Sequence, residues 1–190
     1  MGRNHGIRDP QKATQLCVKA TNLIEPETSE QVMSKNPISA PEVLNEAYHY
    51  AKPSSFSRGL RLDIKGITIL LISGTASIDN QGKTIHVGDF RAQTKRTYQN
   101  ITSLLEAEGA TWKDVVRITC YLRDIERDYE AFNEERTQFF REQELDPLPA
   151  STGIQAILCR PDLLIEMEAM AIFESVRSDK KKQRSKLRSV

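Results

Sequence analysis

Residues 163–173 read LLIEMEAMAIF, and this stretch limits what the chain can become more than any other. With a period of two, Leu163, Ile165, Met167, Ala169, Ala171 and Phe173 share one face. Leu164, Glu166, Glu168, Met170 and Ile172 share the other. The first face is wholly apolar and is assigned to packed helices. The second sets two carboxylates among apolar neighbours in a strand with no edge signal. A carboxylate buried without a partner is costly or shifts its pKa, so Glu166 and Glu168 are expected to face water, a basic partner or a cleft. An apolar sheet face carrying a few polar groups is what a subunit interface presents. The plainer alternative is an exposed sheet face with two ordinary acids.

The preceding residues supply the partners of that strand. FSRGLRLDI (56–64) and ITILLISGTASI (67–78) read as strands, the second apolar on both faces like a central strand. Asp79 to Gly82 is a turn, and Asp89 is the expected N-cap of a helix with Ala92, Tyr98, Ile101, Leu104 and Leu105 at helical spacing, stopped by Gly109. TWKD (111–114) resembles a capping box, and Trp112 reads as a packing residue. In VRITCYL (116–122), Val116, Ile118, Cys120 and Leu122 alternate onto one face. A second helix is expected from Asp128 to Arg141, with Tyr129, Phe132, Arg136, Phe139 and Phe140 along one stripe. A short strand, STGIQAI, and a turn at 159–162 precede the last strand. The order β-β-α-β-α-β-β predicts an α+β domain over 53–174, a mixed sheet with two helices on one face. Residues 1–52, with a short helix possible in QKATQLCVKATNLI, are expected to be an extension, partly disordered or packed on the domain.

Net charge is +1, but 174–190 holds seven Lys/Arg against two acids, a net +5 that leaves the rest at −4. The stretch 175–190 lacks apolar periodicity and reads as a disordered, solvated basic tail, of which 177–190 is expected to be dispensable for folding and for cleft chemistry. With no aromatic platform beside it and an acidic remainder, nucleic-acid binding is disfavoured. Three cysteines without C-x-x-C spacing and three scattered histidines give no disulfide framework, no metal site and no cofactor. The first residues lack an apolar leader core, and the apolar run ITILLI is too short to span a membrane. A soluble cytoplasmic protein is expected.

Several motifs, in order, resemble the RidA/YjgF family across residues 55–173. They are F-x-x-G, the ISG that closes an apolar strand, AQ-x6-N-I-x2-L-L-x3-G, DVV-x2-T-x-Y-L-x-D, F-N…FF, L-P-A and I-E-M-E-A-M-A. The resemblance implies a chorismate-mutase-like fold, a barrel-like homotrimer, and three clefts between subunits for a small anionic metabolite. In that family an arginine just after P-A binds the carboxylate of an imino acid, and a glutamate on the last strand helps water attack the imine. The glutamate falls on Glu166, a helix asparagine on Asn133, the arginine position on Ser151 and an aromatic tyrosine on Phe56. Ser151 lacks the fork that grips a carboxylate, so the resemblance predicts a cleft wall at LPASTG without its usual cation, and weakened imine deamination. ISGTASI, a following H-x-G-D, and Cys159 seven residues before Glu166 also look like the second half of chorismatases, which hydrolyse chorismate.

Glu166 is the candidate acid/base, against a structural acid paired across an interface. Ser151, Thr152, Asn133, Arg58, Phe56, Ser73, Thr75, Cys159 and Arg160 are candidate substrate-binding residues. Arg58 or Arg160 could replace the missing cation, against surface and turn arginines. Ser73 and Thr75 could equally hydrogen-bond nearby backbone, and Cys159 reads as a packed thiol rather than a nucleophile. The function classes are a hydrolase or deaminase of the RidA type, a chorismatase-like hydrolase or lyase, and a non-catalytic ligand-binding or chaperone-like trimer.

Overall fold

A computed structural model of the chain describes residues 33–50 and 53–175; the possible helix within residues 11–24 and the basic tail from 176 onward lie outside them. Eight elements follow one another: β1 Met33–Pro37, β2 Gly59–Ile64, β3 Ile67–Ala76, α1 Phe90–Ala107, β4 Val115–Leu122, α2 Ile125–Glu142, β5 Ala150–Gln155 and β6 Ile165–Glu174. The strands form one sheet in the order β1-β2-β3-β6-β4-β5. Every pairing is antiparallel except β4 with β5, which is parallel. The sheet is therefore mixed, with helices against one face, as the α+β reading expected.

β6 is inserted between β3 and β4, although β5 precedes it in the chain. Leu71 of β3 lies opposite Met170, and Thr119 and Tyr121 of β4 lie opposite Glu168 and Glu166. Its apolar face is buried in full from Leu163 to Phe173. The helices cover that face because their stripes match it. Asp89 accepts a hydrogen bond from the Ala92 backbone N–H at 2.9 Å and starts α1, whose Tyr98, Ile101, Leu104 and Leu105 are buried. Tyr98 stacks on Phe139 of α2 at 4.2 Å, and Trp112 meets Phe139 edge-on at 5.0 Å. The Trp112 Nε1–H is satisfied by Thr102 Oγ1 at 2.8 Å, as a buried indole requires. The Thr111–Asp114 capping box is present.

Three local readings change. α2 begins at Ile125, not Asp128, because Asp124 caps it by accepting from Arg127 N at 3.0 Å. Its buried stripe runs through Asp128, Phe132, Glu135 and Phe140, which leaves Tyr129 exposed beside it. Val116 is 42% exposed and Val115 takes its place inside, since a bulge between Val115 and Arg117 shifts the alternation by one. β2 begins at Gly59; Phe56 to Arg58 leave the ladder and lead into a cavity.

Within the expected extension, β1 pairs with β2 along its length, and Ile38, Leu44 and Ala47 enter the core. Gly59 makes room for this. A Cβ there would lie 2.8 Å from Ile38 Cδ1 and 2.8 Å from the Leu71 carbonyl oxygen. Gly59→Ala should therefore cost about 1–3 kcal/mol through overpacking against rigid backbone. At roughly 2–4 °C per kcal/mol, thermal denaturation of the variant should show a clear drop in melting temperature.

Candidate functional site

The ends of β2 and β3, the loop before β6 and the segment around Tyr50 surround a cavity of about 960 Å³. Phe56, Arg58, Ser73, Gly74, Cys159, Arg160 and Glu166 line it, so six of the ten candidates meet in one place. The bulge between Ile72 and Thr75 is what turns the chain here. It brings Gly74 against Glu166, and a methyl group on Gly74 would collide with the carboxylate oxygen. The missing side chain at Gly74 is the space that the Glu166 carboxylate occupies.

Glu166 is half-buried, and its pKa is raised. Burial is the main cause and the neighbouring Glu168 adds to it, while Arg160 pulls the other way. Cys159 Sγ lies 4.0 Å from Glu166 Oε2. Burial pushes its thiol pKa up, and the glutamate pushes it further, so Cys159 is a neutral neighbour rather than a thiolate nucleophile.

Arg58 is no surface arginine, being 2% exposed. Nε donates to the Asn45 carbonyl at 3.0 Å, Nη2 to Tyr50 Oη, and the backbone N–H reaches Glu46 Oε2 at 3.4 Å. The guanidinium lies 5.0 Å from the Tyr50 ring centre and 5.2 Å from that of Phe56. Burial lowers its pKa, opposed by Tyr50 and Glu46, and a guanidinium starting so high stays charged. Arg160 donates through Nη1 to the Gly82 carbonyl and to Thr84 Oγ1 at 3.4 Å. Two fixed cations and one reluctant carboxylate thus share the cavity. Ser73 Oγ donates to the Ser57 carbonyl and Thr75 Oγ1 to the Ser73 carbonyl, each at 2.8 Å, so both hydroxyls brace backbone. Thr75 does not line the cavity.

Ser151, Thr152 and Asn133 lie elsewhere on the same chain. Thr152 Oγ1 accepts from Arg117 Nη2 at 3.2 Å. Ser151 borders a second cavity of about 630 Å³ between α2 and β5, where Arg136 Nη1 donates to Ser151 Oγ at 3.1 Å and Nη2 to Asn133 Oδ1 at 2.6 Å. The wall expected to lack a cation has one, supplied by the helix. Tyr50 and Arg136 are the site-lining residues missed from sequence. Nothing local in the sequence marks Tyr50, and the pattern places Arg136 only within a helix stripe. Among the described residues, no group of three or more His, Cys, Asp or Glu side chains is placed to hold a metal, and no helix is long and apolar enough to cross a membrane.

Residues 54–173 match the family model for endoribonuclease L-PSP. A RutC family protein of Pyrococcus abyssi is 37% identical over 111 residues, 58% of this chain and 84% of its own. The 3-aminoacrylate deaminase RutC of Acinetobacter baylyi is 35% identical over 107 residues, 56% of this chain and 81% of its own. Among solved structures, a Thermotoga maritima protein superposes with a TM-score of 0.60 at 23% identity, covering 74% of this chain and 99% of that one. Escherichia coli TdcF, solved with bound serine, gives a TM-score of 0.59 at 21% identity, covering 73% and 99%.

The raised Glu166 pKa has a consequence for stability. The folded state holds that proton more tightly than the unfolded chain, so the contribution is complete below the ordinary glutamate pKa of about 4.3 and is lost as pH rises through the raised value. Glu166→Gln cannot ionise. Its melting temperature should match wild type near pH 4 and exceed it increasingly toward pH 8, as parallel thermal melts across that range would show.

Proposed function

This chain belongs to the endoribonuclease L-PSP family, the RidA/YjgF group, and from that premise we propose that it hydrolyses a small anionic imine-type metabolite. Glu166 would take a proton from water as the water oxygen adds to the imine carbon and give it to the imine nitrogen, forming a carbinolamine; it would then take the hydroxyl proton and pass it to the same nitrogen, so that ammonia leaves and a carbonyl forms. The observation that carries this reading is the half-buried Glu166, its pKa raised, facing a cavity that also holds Arg58 and Arg160. Arg58 and Arg160 would draw in an anionic substrate, and Phe56 and Tyr50 would flank its apolar part. The 3-aminoacrylate deaminase of Acinetobacter baylyi supports the substrate class.

The same reading takes the protein to be a homotrimer. Leu71 and Ile172 are 36% and 40% exposed on the sheet face away from the helices, with Met170 and Glu168 beside them. A face of this kind, apolar with a few charges, suits a subunit interface. In the trimer proposed here, the Ser151–Asn133 wall of one copy would complete the Glu166 cavity of the next. A second reading, chorismatase-like hydrolysis, is favoured by the Cys159–Glu166 approach. Pyruvate release from chorismate, lost in Glu166→Gln, would select it.

In a coupled assay on 2-aminoacrylate generated in situ, wild type should accelerate ammonia release, and Glu166→Gln should be about 10²–10⁴-fold slower. Wild type no faster than buffer would reject the imine reading and leave a binding protein. Sedimentation equilibrium should give three times the 21.6 kDa chain mass. Leu71→Arg, opposite Met170 in the sheet, should give monomers that keep the fold and lose turnover. A wild-type monomer at micromolar concentration would overturn the trimer.

A further inference from the structure

We propose that Arg136 fixes the substrate carboxylate, from α2 rather than from the strand position that Ser151 occupies; this rests on the anionic-substrate reading above. Arg136 is held by neutral groups. Its Nη1 donates to Ser151 Oγ at 3.1 Å, its Nη2 to Asn133 Oδ1 at 2.6 Å, and its guanidinium lies 4.9 Å from the ring centre of the fully buried Phe132. Among the described residues, no carboxylate lies within ion-pair distance of it, whereas Arg61 and Arg91 each pair with two and Arg127 with one. Neutral anchors set the direction of the guanidinium without cancelling its charge. Two of its five N–H donors are engaged, leaving three for a ligand.

The surroundings define that ligand. The cavity is about 630 Å³, within the range of small-molecule sites, and Phe132 and Leu148 give it apolar walls. Gly153 leaves its floor open, with nothing within 4 Å of where a Cβ would stand. Ser151 accepts from Arg136, so its own hydroxyl hydrogen remains to donate to a carboxylate oxygen. A planar fork beside a hydroxyl donor and an apolar wall suits a monocarboxylate with a short side chain. Arg141 adds positive charge at the water-exposed rim. In a chain where Ser151 has no charge of its own, this guanidinium restores the cation at the same spot.

Pyruvate, a 2-oxo acid of the kind imine hydrolysis would release, is the probe, with binding measured by calorimetry on the full-length protein. Arg136→Gln should weaken pyruvate at least tenfold and raise KM more than it lowers kcat. Ser151→Arg in the Arg136→Gln background should recover most of that affinity, showing that the single variant is folded. Ser151→Arg alone should gain little, because a second guanidinium would crowd and repel the first. Glu166→Gln should lose turnover while keeping or raising pyruvate affinity, which separates failure of the hydrolysis reading from failure of this one. Unchanged pyruvate binding in Arg136→Gln, a tenfold gain from Ser151→Arg alone, or equal binding of methyl pyruvate or inorganic phosphate would each overturn the assignment.

Discussion

The structure depends on β6 being covered completely on one face and incompletely on the other. From Leu163 to Phe173 every inward residue is apolar and buried under the helices. That burial, at about 25 cal/mol per Å² of apolar surface, fixes the register of the strand. A slip by one residue would drive Glu166 and Glu168 under α1 and expel the apolar set, which no pairing in the sheet could offset. Once the register is fixed, Glu166 has to lie opposite Ala76 and Tyr121 on the open face. The position of Glu166, the proposed acid/base, is thus set by packing on the other side of the strand. The same constraint explains why the open face mixes Met170 and Ile172 with two acids.

The second constraint is local. A carboxylate can sit half-buried beside β3 only because Gly74 leaves the volume and because the β3 bulge aims that gap at it. Ser73 and Thr75, on either side, donate their hydroxyls to backbone carbonyls, Ser73 to Ser57 before β2 and Thr75 to Ser73 within the bulge. The small residues of ISGTAS therefore create the space in which the Glu166 carboxylate sits. Arg160, held by Gly82 and Thr84, keeps the burial of Glu166 from being prohibitive, since a cation nearby lowers the cost of ionisation.

Sequence patterning captured what is periodic and missed what is not. The two faces of β6, the apolar β3, the Asp89 cap and the aromatic contacts of Tyr98, Trp112 and Phe139 follow from spacing and side-chain type. β1 could not be seen, because MSKNP is almost wholly exposed and is held by backbone hydrogen bonds that any sequence can make. Val116 was misplaced because a bulge changes phase without a marker residue. Arg58 looked like a surface arginine, since its partners Asn45, Glu46 and Tyr50 belong to a segment with no periodic signal. Ser151 carries no charge, and the sequence points for a substitute cation only to Arg58 and Arg160, whereas the structure puts Arg136 of α2 beside it.

Arg136 brings its charge to this spot from a helix rather than a strand. A guanidinium sits at the end of a long, flexible stem, so its charge can be delivered to one point from several backbone positions. What must be preserved is the place of the charge and the direction of its N–H groups. Helix α2 meets both conditions: Asn133 lies one turn before Arg136 on the same face, and β5 brings Ser151 to the other side of the fork. Phe132, locked in the core, supplies the flat surface against which the guanidinium rests. A serine in the strand is then more than a loss. Its small volume admits the helix arginine, and its hydroxyl becomes one of the groups that orient it. An arginine at 151 would compete with Arg136 for the same space and repel it, so each of the two residues makes sense only with the other in place.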